Sequence, residues 1–499
     1  MERILRIARQ AGLIGMDNGA LRALAASGSE RISGDDAWIY RRSVRMQDGI
    51  LYFISARAGK KSLCLVGERP FSSPFQGETT RTGGFSIQEA GFSPHNAGRL
   101  HEIFPFTAPV SLRGRMTTLG CGDRLGLATP GHIRAVRGYA AAPVLAQQSV
   151  RELTLTQRTF PGIVADATFL VFQEGYELGY GADGDHLKTI ADIDAALAAG
   201  MPMITLDLSD VMAAEPSRWS AAKVDEEFGK LGPDARGSVL ERYADKTFMA
   251  GNREIPFSAV EAKRCALMYL RARDFSREAD SHIRARRGKS YDLEISIDET
   301  TAPTLPEHHV FIARELQLRG VMASSLAPRF VGEFQKGVDY IGDVGEFEKQ
   351  FEVHCAIARQ SGGYKISVHS GSDKFSVYPP IGRHTGMRLH LKTAGTSWLQ
   401  ALLVISRANP SFFRRLVAKA RESFADATKL YYVTTDLAKV PDASGLKDGE
   451  LPGLLEQRDP RQLLHITYGG LLKDPDIRAG IYETLTENEE QHYAAVQQH

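Results

Sequence analysis

The chain has 499 residues, enough for one large enzyme domain with additions or for two or three ordinary ones. Its 61 Lys and Arg nearly cancel its 60 Asp and Glu, so no overall field draws it to nucleic acid or to an anionic membrane surface. Four scattered cysteines without a C-x-x-C pair argue against a disulfide framework or a thiolate zinc site. With no secretory core near Met1, and with the longest apolar stretch (Trp398–Ser406) far short of the roughly 18 residues that span a bilayer, the expectation is a soluble, cytoplasmic protein.

In chain order, residues 1–105 read as a small appended domain, with long loops over the Gly, Ser and Pro-rich stretch Gly67–Gly98. From 106 to 440, short apolar or alternating runs take turns with helical patterns, the signature of βα units. Predicted strands are Met116–Leu119, Leu178–Ala182, Met203–Asp207, Tyr291–Asp298, Val321–Leu326, Tyr364–His369, Arg388–Lys392 and Leu430–Thr434. Predicted helices are Asp192–Ala199, His308–Leu318, Glu346–Arg359, Thr396–Arg407 and Pro410–Phe424. Eight strands suit a TIM-type (β/α)8 barrel of the α/β class. Residues near 211–290, with charged amphipathic helix such as Phe257–Arg273, read as a helical insertion or lid at the barrel mouth. Residues 441–499 read as a C-terminal helical tail ending in the helix Asp476–Gln497, packed on the barrel.

One face of several strands is polar: Glu294, Ser296 and Asp298; Lys365, Ser367 and His369; Arg388, His390 and Lys392. Buried polar groups cost several kcal/mol each unless paired or liganded. Internal salt bridges would meet that cost, and so would an interior built around ions, water and a polar ligand.

Two phosphate-loop patterns need weighing. Gly288-Lys289-Ser290 lacks the upstream glycine and strand of a P-loop. Gly179-Tyr180-Gly181-Ala182-Asp183-Gly184 satisfies G-x-G-x-x-G, and Asp207 stands where a ribose-binding acid would, which keeps an NAD-dependent oxidoreductase as a rival reading. Against it, Asp183 and Asp185 would repel a pyrophosphate, and a capping box of Thr189 and Asp192 starts the helix beyond the glycines.

The same stretch reads better as a strand-end site. Asp185-His186 sets a metal ligand beside a general base. His369-Ser370-Gly371-Ser372-Asp373-Lys374 places a second histidine before a hydroxyl-rich turn suited to a polyhydroxylated anion, with Ser370 and Asp373 as substrate contacts, and His390 repeats the plan one strand later. Three histidines at like ends of three strands suit an open metal site. Among Glu294, Asp298, Glu299 and Glu333, one carboxylate would join the metal, Glu333 being the first choice, and another would act as acid or base. Arg329, Lys374 and Lys392 would hold a substrate carboxylate. Asp123, Arg124, Lys188 and Asp207 complete the expected pocket lining.

The run Leu326–Tyr340, with Lys365–Tyr378, His390–Ser397, Gly120–His132, Asp185–Thr189 and Glu294–Thr300, resembles the tagaturonate epimerase family of hexuronate catabolism. It departs from the family pattern at Gln400, where glutamate is usual. The resemblance implies a divalent-metal-dependent interconversion of tagaturonate and fructuronate, with Asp185 as proton acceptor and His186 and His369 as metal ligands. Zinc, manganese, nickel and iron all suit such ligands. The inverted carbon lies one bond beyond the position next to the ketone, so its C–H is not acidified; retro-aldol cleavage, rotation and re-addition would invert it. The Asp-His and later His-Ser-Gly-Ser order also looks like zinc-dependent class II aldolases. A sugar-acid lyase and a non-catalytic sugar-acid binding protein therefore stand as alternatives, with a small sugar acid as partner and self-association left open.

Overall fold

The structure, a computed structural model, describes residues 1–499 apart from positions 28, 29, 35, 301 and 394. An N-terminal sheet comes first: β1 (Arg31–Ser33), β2 (Ala37–Tyr40), β3 (Arg45–Gln47), β4 (Ile50–Arg57), β5 (Lys60–Gly67), β6 (Gly77–Thr82) and β7 (Phe85–Ala90), paired antiparallel throughout. The stretch Gly67–Gly98 is thus largely ordered secondary structure. Its β6–β7 hairpin turns on Gly83 and Gly84, both at positive φ, and the helix Pro94–Ile103 begins at its end. The alternation of β4 shows why the sheet needs cover on both sides. Leu51 and Phe53 pack with Ile4, Leu5 and Ile7 of the first helix, whereas Tyr52, Ile54 and Ala56 pack with Phe169 and Phe172 of the helix Phe160–Glu174. The sheet is thereby fastened to the outside of the domain that follows.

That domain is a closed barrel of eight parallel strands in chain order: β8 (Thr117–Gly120), β9 (Ala141–Ser149), β10 (Gly181–Leu187), β11 (Met203–Asp207), then, after a small hairpin β12 (Lys246–Ala250) and β13 (Arg253–Phe257), β14 (Asp292–Ser296), β15 (Ala323–Ala327), β16 (Lys365–Val368) and β17 (Leu389–Lys392), which pairs back with β8. Outward residues such as Ile204, Leu206, Leu293, Ile295, Leu326, Ile366 and Leu389 join the helices in one apolar core. Inward residues are polar and linked: Thr205 lies beside Glu294 in register, Glu294 beside Ser325, and His390 beside Thr118.

Leu430–Thr434 is not a strand. The closed ring has no free edge to accept it, and it runs instead as an irregular segment across the barrel mouth, where Thr434 is held by the side-chain carbonyl of Gln335. The eighth strand is β9, whose Ala-Ala-Pro start and two glutamines lack the β-branched density of its neighbours. The G-x-G-x-x-G glycines belong to β10 and its approach; no helix starts until Ile190, behind the Thr189–Asp192 capping box, so no phosphate turn forms.

The insertion is not a lid. Its helices Ala221–Gly229 and Pro233–Tyr243 and the β12–β13 hairpin carry Phe228, Val239, Tyr243, Ile255 and Phe257 into the outer core, with Tyr243 against Phe311 at 4.6 Å between ring centres. Apolar burial against the outer helices decides that placement. The insertion leads into the 29-residue helix Ala259–Arg287. The tail ends in two helices, Pro475–Glu487 and Glu489–Gln498, divided at Asn488. The last of them lies close on the helix Thr129–Val136, where a Cβ at Gly131 would stand 2.7 Å from Val496.

Candidate metal and active site

A cavity of about 500 Å³ opens at the C-terminal ends of the barrel strands. Its walls combine strand-end residues, the loop from Pro328 to Lys336, and Leu430–Tyr432. Beneath it, the Lys392 ammonium lies 3.2 Å from Asp183, 2.9 Å from Glu294 and 2.5 Å from Asp185, and it donates to Thr205 at 2.7 Å. One cation among three buried carboxylates leaves excess negative charge. Burial and the neighbouring Asp185 and Glu294 raise Asp183 to about 6 against the pull of Lys392. Burial would raise Asp185 and Glu294 as well, yet Lys392 and the adjacent histidines hold both well below the usual carboxylate range.

Neighbours in a regular strand point to opposite faces. Asp185 and His186 nevertheless both line the cavity, because His186 takes a positive φ of 56° where the pairing of β10 slips between Gly184 and Leu187. Nδ1 of His186 lies 2.8 Å from Asp185 Oδ1, and Nε2 is 3.6 Å from Glu299. Across the cavity floor, Nε2 of His369 lies 2.8 Å from Glu294, and the two imidazoles stand 4.9 Å apart centre to centre. Each ring therefore has one nitrogen tied to a buried carboxylate that Lys392 also holds. Such a carboxylate–histidine pair fixes the tautomer and frees the other nitrogen for a cation.

The remaining donors fit a metal. His186, Asp298 and His369 each bring one ligand atom within 4.8 Å of the other two. Nδ1 of His369 is buried without a hydrogen-bond partner although Asp298 Oδ2 stands only 3.0 Å away, too poorly directed to bond but suited to sharing an ion. Burial opposes charge on both histidines, but Asp185 raises His186 well above the usual imidazole value and Asp298 raises His369. Asp298 is held down to about 2, His369 and His186 overcoming burial.

Asp185, His186, Asp298, Glu299, Arg329, Glu333, His369, Ser370 and Lys392 all line the cavity. Glu294 lies just below it, fully buried. His390 sits deeper, its Nδ1 2.9 Å from Thr118 Oγ1, and burial drives it down to about 3, so it is a neutral barrel residue outside the three-donor cluster. The other expected contacts have structural partners and do not line the cavity. Asp123 accepts backbone N–H bonds from Leu125, Gly126 and Ala128, and Arg124 pairs with Glu152 at 3.1 Å over the Tyr468 ring. Lys188 binds Asp210 and approaches Asp207, which caps Ser209. Asp373 pairs with Arg461, and the Lys374 ammonium donates to the carbonyls of Gln335, Val338 and Ser372.

Other wall residues carry no sequence signal of their own: Ser149, Arg151, Glu152, Lys336, Tyr431 and Tyr432. Lys336 stands out. No carboxylate lies within 4 Å of its ammonium among the described residues, and burial, aided by Arg124 and Arg151 against Glu152, holds it below the ordinary lysine value. Its position inside the run Leu326–Tyr340 was the one hint available.

The model of the tagaturonate epimerase family (UxaE) matches residues 40–499. A tagaturonate/fructuronate epimerase from Thermotoga maritima is 39% identical over 464 residues, covering 92% of this chain and 95% of that protein. Crystal structures of fructuronate-tagaturonate epimerase UxaE from Cohnella laeviribosi superpose with a TM-score of 0.88: a glycerol complex at 42% identity, covering 92% of this chain and 94% of the other, and the native form at 41%, covering 96% and 97%. By the extent of these matches, barrel and appended segments alike, this chain belongs to the tagaturonate epimerase family.

Proposed function

We propose that the protein epimerises tagaturonate and fructuronate in hexuronate catabolism, by retro-aldol cleavage and re-addition in the cavity above Lys392. The observation that carries this reading is the pair of half-buried histidines, each oriented by a carboxylate, converging on Asp298 at the mouth of a barrel from this family. His186, Asp298 and His369 would hold a divalent cation, and such an ion withdraws electrons from a ketose carbonyl and lowers the cost of the enediolate that cleavage leaves.

Asp185 is suited to moving the hydroxyl proton. Both His186 and Lys392 bind its Oδ1, and the carboxylate borders the cavity with Oδ2 free of protein hydrogen bonds among the described residues. It takes the proton from the hydroxyl on the inverting carbon as that carbon–oxygen becomes a carbonyl and the adjacent carbon–carbon bond breaks toward the ketone. After rotation of the aldehyde fragment, the enediolate carbon attacks its other face and the proton returns. Glu299 or Glu333 can serve as a second acid or base, and Arg329 and Lys336 can hold the substrate carboxylate. Four buried, unpaired cysteines, and the lack of any helix long and apolar enough to cross a membrane among the described residues, support a cytoplasmic setting.

The test is turnover of tagaturonate by metal-reconstituted protein in deuterated water, followed by NMR. Fructuronate without deuterium at the inverted carbon is expected. Deuterium there would overturn the cleavage route, accumulating three-carbon fragments would point to a lyase, and an unchanged sugar acid with every metal would sink the enzymatic reading.

A further inference from the structure

Away from the barrel mouth, the long helix Ala259–Arg287 places Glu261 and Cys265 one turn apart on a single face, and the next helix, Pro306–Leu318, brings His308 against them. One ligand atom of each lies within 4.8 Å of the others. Cys265 Sγ is 3.8 Å from Glu261 Oε1, and His308 Nε2 is 3.6 Å from the same oxygen. These separations approach the roughly 3.3–3.7 Å between donors bound at about 2.0–2.3 Å around a tetrahedral zinc ion.

Two simpler readings fall short. A first-turn glutamate with a nearby histidine could be an ordinary ion pair, but His308 is 4% exposed and its Nε2 has no hydrogen-bond partner. A buried thiol could be plain core packing, but an apolar neighbour would serve that better than a carboxylate oxygen facing the sulfur. Glu261 turns Oε1 to the Cys265 thiol, which donates to it, and to His308, while Arg264 bonds to Oε2 at 3.2 Å; its side chain is a quarter exposed, which gives an ion a path in.

We propose that Glu261, Cys265 and His308 form a second divalent-cation site, suited to a thiophilic ion such as zinc, that ties the start of the long helix and its insertion to the barrel's outer layer. On binding, the Cys265 S–H proton leaves to solvent as the metal–sulfur bond forms, so thiolate and carboxylate together neutralise the ion. Water would fill the fourth position.

Cobalt(II) is the probe, titrated into full-length protein stripped with a chelator. A thiolate-to-cobalt charge-transfer band is expected in the near ultraviolet, abolished by Cys265→Ser and kept by His369→Ala, while bound cobalt falls from two ions per chain to one in Cys265→Ser. His308→Gln, which keeps the thiol, should weaken the cobalt affinity that the band reports by at least about tenfold. Circular dichroism checks that each variant is folded. No thiolate band in the parent protein, or an undiminished band in Cys265→Ser, overturns the proposal.

Discussion

Single side chains near the barrel mouth differ in how fully the protein satisfies them. Asp123, Arg124, Lys188 and Lys374 spend their hydrogen bonds on loops and neighbours. Lys336 has no such partner among the described residues, and the cations Arg124 and Arg151 near it suit the site to an anion. Lys336→Met should therefore raise KM for the sugar acid by about 10- to 100-fold, the loss of one charge-assisted hydrogen bond of about 1.5–3 kcal/mol, with a smaller effect on kcat. Steady-state kinetics decides; a fall in kcat alone would place the lysine with the chemistry and not with binding. Asp185, His186 and His369 were legible in sequence because a histidine with a carboxylate or hydroxyl-rich turn at a strand end is a local pattern. Lys336 was not, because being without a partner is a property of the folded loop.

Strands and helices were legible to different degrees, for a physical reason. The short strand Met203–Asp207 has the bounds read for it, and the alternating run Tyr291–Asp298 contains β14. β9 hid behind Ala-Ala-Pro, and Leu430–Thr434 imitated a strand that a closed ring could not admit. β10 was the hardest, because the glycines that suggested a phosphate loop serve packing. A Cβ on Gly184 would stand 2.8 Å from Ala196 Cβ and 2.9 Å from Leu187 Cδ1, so the helix Ile190–Ala198 can lie on the strand only if that side chain is absent. Gly184→Ala should cost about 1–3 kcal/mol by overpacking. It should also lower activity more than stability alone explains, because the displaced backbone carries Asp185 and the slipped His186. Thermal melts and kcat measured on the same preparation test this; an unchanged melt would show that the strand and helix can part without cost.

Across the whole molecule, buried neutral histidines set the response to acid. Burial holds His132, His354 and His492 at about 4 each; His132 and His492 face one another across two packed helices near Asp123, which opposes for both, while His354 lies elsewhere. An unfolded histidine titrates near 6.5, so between about 6.5 and 4 the unfolded chain binds more protons and stability falls as pH falls. Each such group contributes on the order of 3 kcal/mol above its unfolded value, and that contribution is lost once the pH drops through the folded value. Depressed carboxylates behave with the same sign but later: Asp298, held near 2, gives up its contribution only below about 4. Melting temperature should therefore decline already between pH 6.5 and 4, before the depressed carboxylates take part, with proton uptake by Asp183 near 6 offsetting part of the fall. His354 shares a hydrogen bond with His309 at 2.9 Å between Nδ1 atoms, a contact that needs at least one ring neutral. His354→Gln removes one of the titrating groups, and it should flatten that decline while lowering stability at neutral pH. A melting temperature level down to pH 4 and falling only beyond it would assign the acid response to the carboxylates around Lys392 instead.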